Sequence, residues 1–101
     1  MIRVTSPLIA ALVTLSSAHA QSADEVGRTL AATCANCHGT GGQARGAMPS
    51  LAGQPKADIA QKMIEFRDGK RPATIMHQLA KGYTPEQIDA IAGWLATQKS
   101  K

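Results

Sequence analysis

Apolar residues along this chain repeat with the spacing of an α-helix rather than with the alternation of a strand. Val26, Leu30 and Cys34 are each four residues apart and predict a first helix over about residues 23–36. The following stretch, 39–53, contains five glycines and no apolar period. It is therefore expected to be a loop that wraps around something.

Three further helical segments are expected after this loop. The second helix should begin at Pro55 or Lys56 and end at Gly69, because glycine is favoured just past a helix end. Its apolar face consists of Ile59, Met63 and Phe66. A short helical piece is expected over 73–80, and the last helix should extend to about Gln98. The apolar stripe of that last helix consists of Ile88, Ile91, Ala92 and Leu95.

Two of these helices begin with the pattern of a capping box. Ser22 and Glu25 stand three residues apart at the first start, and Thr84 and Gln87 do so at the last, with Pro85 in the first turn. No segment shows a convincing strand pattern. The sequence therefore predicts an all-α fold with three to four helices.

The first twenty residues have the pattern of a secretory signal peptide. Arg3 precedes an apolar run over 8–15, and the small residues Ala18 and Ala20 flank His19 at the exit. The run is too short to span a bilayer, which needs roughly 20 residues. We expect cleavage after Ala20, export to the periplasm, and a single soluble domain over 21–101 with no membrane anchor.

The formal net charge is +4 for the whole chain and +3 once Arg3 is removed. This mild excess, without a dense basic stripe interleaved with aromatic residues, argues against nucleic acid as a ligand. Four cations lie close together in the second helix and just after it: Lys62, Arg67, Lys70 and Arg71. They could steer an acidic partner protein, although such a cluster is more often a solvated face.

The core that this chain can build by itself is small. Its only aromatic residues are Phe66, Tyr83 and Trp94. Gly27 should allow the first and last helices to cross closely, beside a residue such as Trp94. A mature chain of about 80 residues rarely builds a sufficient core from small side chains alone, so a large flat apolar cofactor would supply what is lacking.

The segment Cys34-Ala35-Asn36-Cys37-His38 has the C-x-x-C-H pattern of covalent haem attachment. Two thiols three residues apart reach the two vinyl groups of one haem, and the adjacent imidazole can bind iron from the same side. A thioredoxin-like redox pair would be expected near a βαβ pattern, which is missing here. A closed zinc site needs about four ligands, more than this motif offers. We therefore expect one haem c per chain, with His38 as an axial ligand.

Four residues of the mature chain could supply the second axial ligand: Met48, Met63, Met76 and His77. Met63 shares a helical face with Ile59 and Phe66, which favours a packing role. Met48 is close to the attachment motif in sequence, and this makes a return to the far haem face difficult. Met76 and His77 lie just before the final helix, and spacing does not choose between them.

The attachment motif, Gly27 seven residues before it, the loop 49–53 and the closing segment from Met76 together resemble the class I c-type cytochromes. In that family the sixth iron ligand is a methionine in the loop before the C-terminal helix, which implies Met76 here. The resemblance also implies that the Pro49 carbonyl accepts a hydrogen bond from His38. Without the resemblance, Pro49 would only stiffen a turn.

The residues over 66–70, 74–76 and 80–84 are more specifically similar to the cytochrome subunit of flavocytochrome c sulfide dehydrogenase. That resemblance implies a flavoprotein partner that oxidises sulfide, while this chain accepts single electrons through its haem and is not itself an enzyme. Three alternatives stay open: a free-standing carrier to an oxidase or another redox enzyme, a five-coordinate haem sensor, and a haem-free protein that uses Cys34 and Cys37 for thiol redox chemistry.

Overall fold

The computed structural model describes residues 20–100. Within this range every regular element is helical and no strand occurs, so the all-α prediction is confirmed. No helix among residues 20–100 has both the length and the apolar character needed to cross a bilayer. The predicted signal peptide lies outside the described residues except for Ala20.

Five α-helical segments and two 3-10 turns follow one another along the described part of the chain. In order, they are α1 (Ala23–Ala31), a first 3-10 turn (Ala32–Cys34), α2 (Ala35–His38), a second 3-10 turn (Thr40–Gly42), α3 (Lys56–Arg67), α4 (Met76–Ala80) and α5 (Pro85–Ala96).

Both predicted capping boxes are present. At α1 the Ser22 hydroxyl accepts from the Glu25 amide at 3.2 Å, and the Glu25 carboxylate accepts from the Ser22 amide. At α5 the Thr84 hydroxyl accepts from the Gln87 amide at 3.1 Å, the Gln87 side chain accepts from the Thr84 amide, and Pro85 occupies the first turn. Each box satisfies two amides that the helix itself leaves without partners.

The first predicted helix is interrupted rather than continuous. The Thr33 hydroxyl donates to the Leu30 carbonyl at 3.2 Å, and in an uninterrupted α-helix that carbonyl would accept from the Cys34 amide. The chain tightens into the first 3-10 turn at this point and then continues as α2 to His38, two residues beyond the expected end. Gly39, at φ 82°, terminates it.

The remaining helix boundaries differ from expectation by a few residues. Gly69 has a φ of 73° and lies just past the end of α3, as predicted. The short piece expected over 73–80 is helical only from Met76, because Ile75 has a non-helical backbone. Helix α5 stops at Ala96, two residues before Gln98.

The core forms where α5 contacts α1 and α3, and α3 contacts α4. The predicted close crossing of α1 and α5 is present at Gly27. A Cβ atom at this position would overlap the Ala90 carbonyl oxygen and lie 2.9 Å from the Trp94 Cβ. Only glycine therefore allows the backbones of these two helices to approach so closely.

Two glycine-to-alanine substitutions should have opposite effects on stability. Gly27→Ala forces α1 and α5 apart and should lower the free energy of unfolding by about 1–3 kcal/mol. At Gly93, also within a helix, an added Cβ would meet only Lys56 side-chain atoms at 3.6 Å or more. Gly93→Ala should therefore raise the free energy of unfolding by about 0.5–1 kcal/mol. Urea unfolding of both variants, followed by circular dichroism, checks the signs. Equal effects would contradict the close crossing.

Candidate functional site

A large, almost wholly apolar cavity of about 530 Å³ opens beside the interrupted first helical region. Its wall is formed by the attachment motif, by the loop that follows it, by one face of α3, by the segment leading into α4 and by two side chains of α5. The residues singled out by their chemistry in that wall are Cys34, Cys37, His38, Met48, Met63 and Met76. Side chains from five parts of the chain therefore converge on one cavity.

Both cysteines of the motif are free thiols on this wall, with Cys34 half-buried and Cys37 exposed. They are three residues apart in helical backbone and so lie on the same side of it. Burial raises the pKa of the Cys34 thiol, and hydrogen bonds from its own backbone and from the Thr33 hydroxyl offset part of the shift.

His38 is buried, with 8% of its surface exposed, and its ring has a fixed orientation. The Nδ1 atom lies 2.8 Å from the Pro49 carbonyl oxygen. Because a carbonyl can only accept, the proton is on Nδ1, and Nε2 carries the lone pair that can bind a metal. The Pro49 carbonyl thus makes the contact that the family resemblance implied.

The loop that carries Pro49 is held in place by its own hydrogen bonds. The Gly42 carbonyl accepts from the Leu51 amide at 2.8 Å and from the Ala52 amide at 3.1 Å. The Ser50 hydroxyl accepts from the Ala44 amide at 3.0 Å. The loop predicted to wrap around something therefore forms one wall of the cavity, and its backbone keeps the partner of His38 in position.

The four residues considered as second axial ligands occupy different environments. Met76, half-buried at the start of α4, lines the cavity. Met48 lines it as well, but 43% of its surface is exposed. Met63 is buried against Ala80 and Ile88, consistent with packing, and also reaches the cavity wall.

His77 is half-buried, does not line the cavity, and its Nδ1 is buried without a hydrogen-bond partner among the described residues. The structure thus brings three methionines to the cavity and leaves His77 on another side of α4.

The four cations considered for steering a partner do not form one free positive patch. Arg67 is paired with Asp68 at 3.0 Å, and Arg71 is paired with Glu65 at 2.9 Å. Hydrogen bonds from Gln61 and Arg71 hold the pKa of Glu65 below its usual value. Two of the four charges are therefore balanced locally.

Sequence reasoning missed that polar side chains enter the cavity wall. Lys62 and Gln54 line it and are joined by a hydrogen bond of 3.2 Å, and Arg71 lines it too. A signal existed for Lys62, which stands three residues after Ile59 and four before Phe66, on the apolar face of α3.

These residues fit a covalently attached haem. The cavity offers an apolar interior, two thiols on one side of a helix, and an imidazole whose Nε2 is free for iron. It also offers methionine sulfurs at some distance from the attachment motif in sequence.

Comparison with known proteins leads to the same cofactor. The family model described as cytochrome c oxidase, cbb3-type, subunit III matches residues 21–95. The cytochrome subunit of sulfide dehydrogenase from Chlorobaculum tepidum is 39% identical over 75 residues, which cover 74% of this chain and 68% of that protein. The thiosulfate dehydrogenase electron acceptor of Thiomonas intermedia is 39% identical over 69 residues, covering 64% of this chain and 32% of that protein.

A solved structure of cytochrome c4 from Acidithiobacillus ferrooxidans superimposes with a TM-score of 0.71 at 32% sequence identity. The match covers 81% of this chain and 53% of that one. The chain thus spans between about a third and two thirds of the length of these relatives. Its all-helical architecture, its attachment motif and these matches show that it belongs to the class I c-type cytochromes, electron-transfer proteins that carry covalently bound haem c.

Proposed function

We propose that this chain is a periplasmic single-haem electron carrier that accepts electrons from a dehydrogenase of reduced sulfur compounds, with a flavoprotein sulfide dehydrogenase as the first candidate. One observation carries the proposal: a single apolar cavity brings together Cys34, Cys37, His38 and Met76. Catalysis would take place in the partner, and this chain would receive the electrons one at a time.

In this proposal the two cysteines hold the haem and two other side chains bind its iron. The thiols of Cys34 and Cys37 would hold the haem by adding across its two vinyl groups, each thiol proton going to a vinyl carbon. His38 would bind iron through Nε2, and Met76 would bind it through its thioether. Met76 is favoured over Met48 because it is half-buried and belongs to the segment before α5 in which the family carries this ligand.

The bound haem supplies iron that alternates between the ferrous and ferric states. The chain's own residues set the conditions for that change. Pro49 keeps the His38 proton on Nδ1 and so fixes the ring that faces the iron. The apolar wall excludes water, and a methionine ligand favours the ferrous state, so both should raise the reduction potential.

The relatives support a partner that oxidises sulfur compounds. One is named as the cytochrome subunit of sulfide dehydrogenase and another as the electron acceptor of thiosulfate dehydrogenase. The similarity to the first was also expected from residues 66–84. A partner with an acidic docking face would suit a mature chain of charge +3.

The proposed domain organisation is a cleaved signal peptide over 1–20 followed by one cytochrome domain over 21–101. The match to the family model begins at residue 21, directly after the proposed cleavage site, which supports this division.

Mass spectrometry of the protein, produced with full haem-maturation machinery, tests attachment and cleavage together. We expect a mass equal to residues 21–101 plus one haem. Replacing both Cys34 and Cys37 with serine should abolish the covalent haem, because no carbon–sulfur bond can form. If the unaltered protein is colourless and both of its thiols can be alkylated, the thiol-redox alternative is supported instead.

Replacing Met76 with alanine should leave the haem attached but remove the methionine-to-iron charge-transfer band of the ferric spectrum. The reduction potential should fall by on the order of 100 mV, because axial ligands are a main determinant of haem potential. The iron should then bind carbon monoxide when reduced. Met48→Ala, at the same cavity, is the matched control and should retain the band. A band lost in Met48→Ala and kept in Met76→Ala would reassign the ligand. If the unaltered protein lacks the band and binds carbon monoxide, it is the five-coordinate sensor.

Purification of the native protein tests the proposed partner. We expect it to elute with a flavin-containing protein, and anaerobic addition of sulfide to the complex should reduce the haem, measured from its visible absorption. Thiosulfate in place of sulfide distinguishes the two dehydrogenases. If the protein elutes without a partner, and its haem is not reduced when a flavoprotein sulfide dehydrogenase and sulfide are added, the proposed partner is wrong. The chain would then be a free-standing carrier.

A further inference from the structure

Tyr83 contacts both hydrophobic clusters of the core. One cluster consists of Ala31, Ile59, Ile91, Ala92 and Leu95, and Cys34 packs against it. The other consists of Met63, Ala80 and Ile88, and Met76 packs against that one. Only Tyr83 and Ala60 pack against both clusters among the described residues. Of these two, Tyr83 alone carries a polar group.

The Tyr83 hydroxyl reaches Thr33, fifty residues earlier in the chain, at 2.9 Å. The Thr33 hydroxyl donates its own proton to the Leu30 carbonyl at 3.2 Å. Thr33 therefore accepts, and Tyr83 donates. Within the described residues, this is the one side-chain hydrogen bond that joins 20–38 to 50–100.

The two ends of this hydrogen bond adjoin opposite parts of the site. Thr33 directly precedes Cys34 in the first 3-10 turn. Tyr83 directly follows the turn that ends α4, and its amide donates to the Ala80 carbonyl at 3.3 Å. Because α4 begins at Met76 and is one short helix, Tyr83 and Met76 are ends of one small structural unit.

We propose that Tyr83 is a positioning residue for Met76. Its ring and hydroxyl fasten the α4 segment to the haem-attachment turn, so that the Met76 thioether stays against the iron. The inference rests on the proposed function, in which Met76 is an axial ligand. It assigns to Tyr83 control over how often Met76 leaves the iron, without contact between Tyr83 and the iron.

A purely structural role for Tyr83 predicts something different. Loss of the hydroxyl would then lower the stability of the whole domain and leave the Met76–iron equilibrium unchanged. The positioning role predicts a change at the iron while the protein stays folded. An added ligand that competes with Met76 separates the two, because its apparent affinity rises in proportion to the fraction of molecules in which Met76 has left.

The experiment is a titration of the ferric haem protein with imidazole, followed by the loss of the methionine-to-iron band. Tyr83→Phe removes the donor and keeps the ring, and Thr33→Val removes the acceptor. Each should make imidazole bind about two- to tenfold more tightly, the range expected when one hydrogen bond no longer holds a segment closed. The double variant should show no more than Thr33→Val alone, because Thr33→Val has already broken the contact that Tyr83→Phe removes.

Two control variants complete the test. Thr33→Ser retains the acceptor and should restore the wild-type affinity. Thr97→Val removes a threonine hydroxyl whose bond to the Trp94 carbonyl is local to the end of α5, and it should leave imidazole binding unchanged. Thermal unfolding followed by far-ultraviolet circular dichroism reports the stability of each variant independently.

Unchanged imidazole affinity in Tyr83→Phe, or additive effects in the double variant, would overturn the positioning role while the proposed function stands. A wild-type ferric protein without the methionine-to-iron band would instead overturn the Met76 assignment and, with it, this inference. The wild-type spectrum thus tests the Met76 assignment first, and the titrations of the variants then test the role of Tyr83.

Discussion

The close crossing of α1 and α5 at Gly27 is the contact on which the rest of the structure depends. With no side chain at Gly27, α1 can lie against the backbone of α5 beside Ala90. That approach fixes the direction in which α1 runs, and the attachment motif follows directly from its end. Because the chain has only three aromatic residues, large side chains contribute little to the packing of its core. Direct contact between helix backbones contributes to that packing instead.

The described core stops at the cavity instead of filling it. Ile59, Ile91 and Leu95 are buried in the core and also line the cavity, so one set of side chains serves the protein interior and the cofactor. A bound haem would extend this apolar surface. The cofactor is then part of the core, which explains how about 80 residues can suffice for a stable domain.

Features set by local chemistry could be predicted from the sequence, and features set by tertiary contacts could not. The two capping boxes and the Gly69 stop depend on neighbours within three or four residues, and all are present. The break before Cys34 depends on the hydroxyl of Thr33, a residue whose propensity is only mildly unfavourable in a helix. Spacing alone was enough to predict Cys34, Cys37 and His38 as site residues, whereas the entry of Lys62 into the cavity wall required the three-dimensional structure.

The two proposed iron ligands differ in the same way, because local contacts position His38 and tertiary contacts position Met76. His38 follows Cys37 directly, and its partner Pro49 is eleven residues away, so this side is assembled by one short loop with its own hydrogen bonds. Met76 is 38 residues from His38 and reaches the cavity only through the packing of α4 on α3 and of Tyr83 on both clusters. A side held by distant packing opens more readily than a side held by a local loop. Exchange of an axial ligand should therefore occur on the methionine side, with His38 remaining bound throughout.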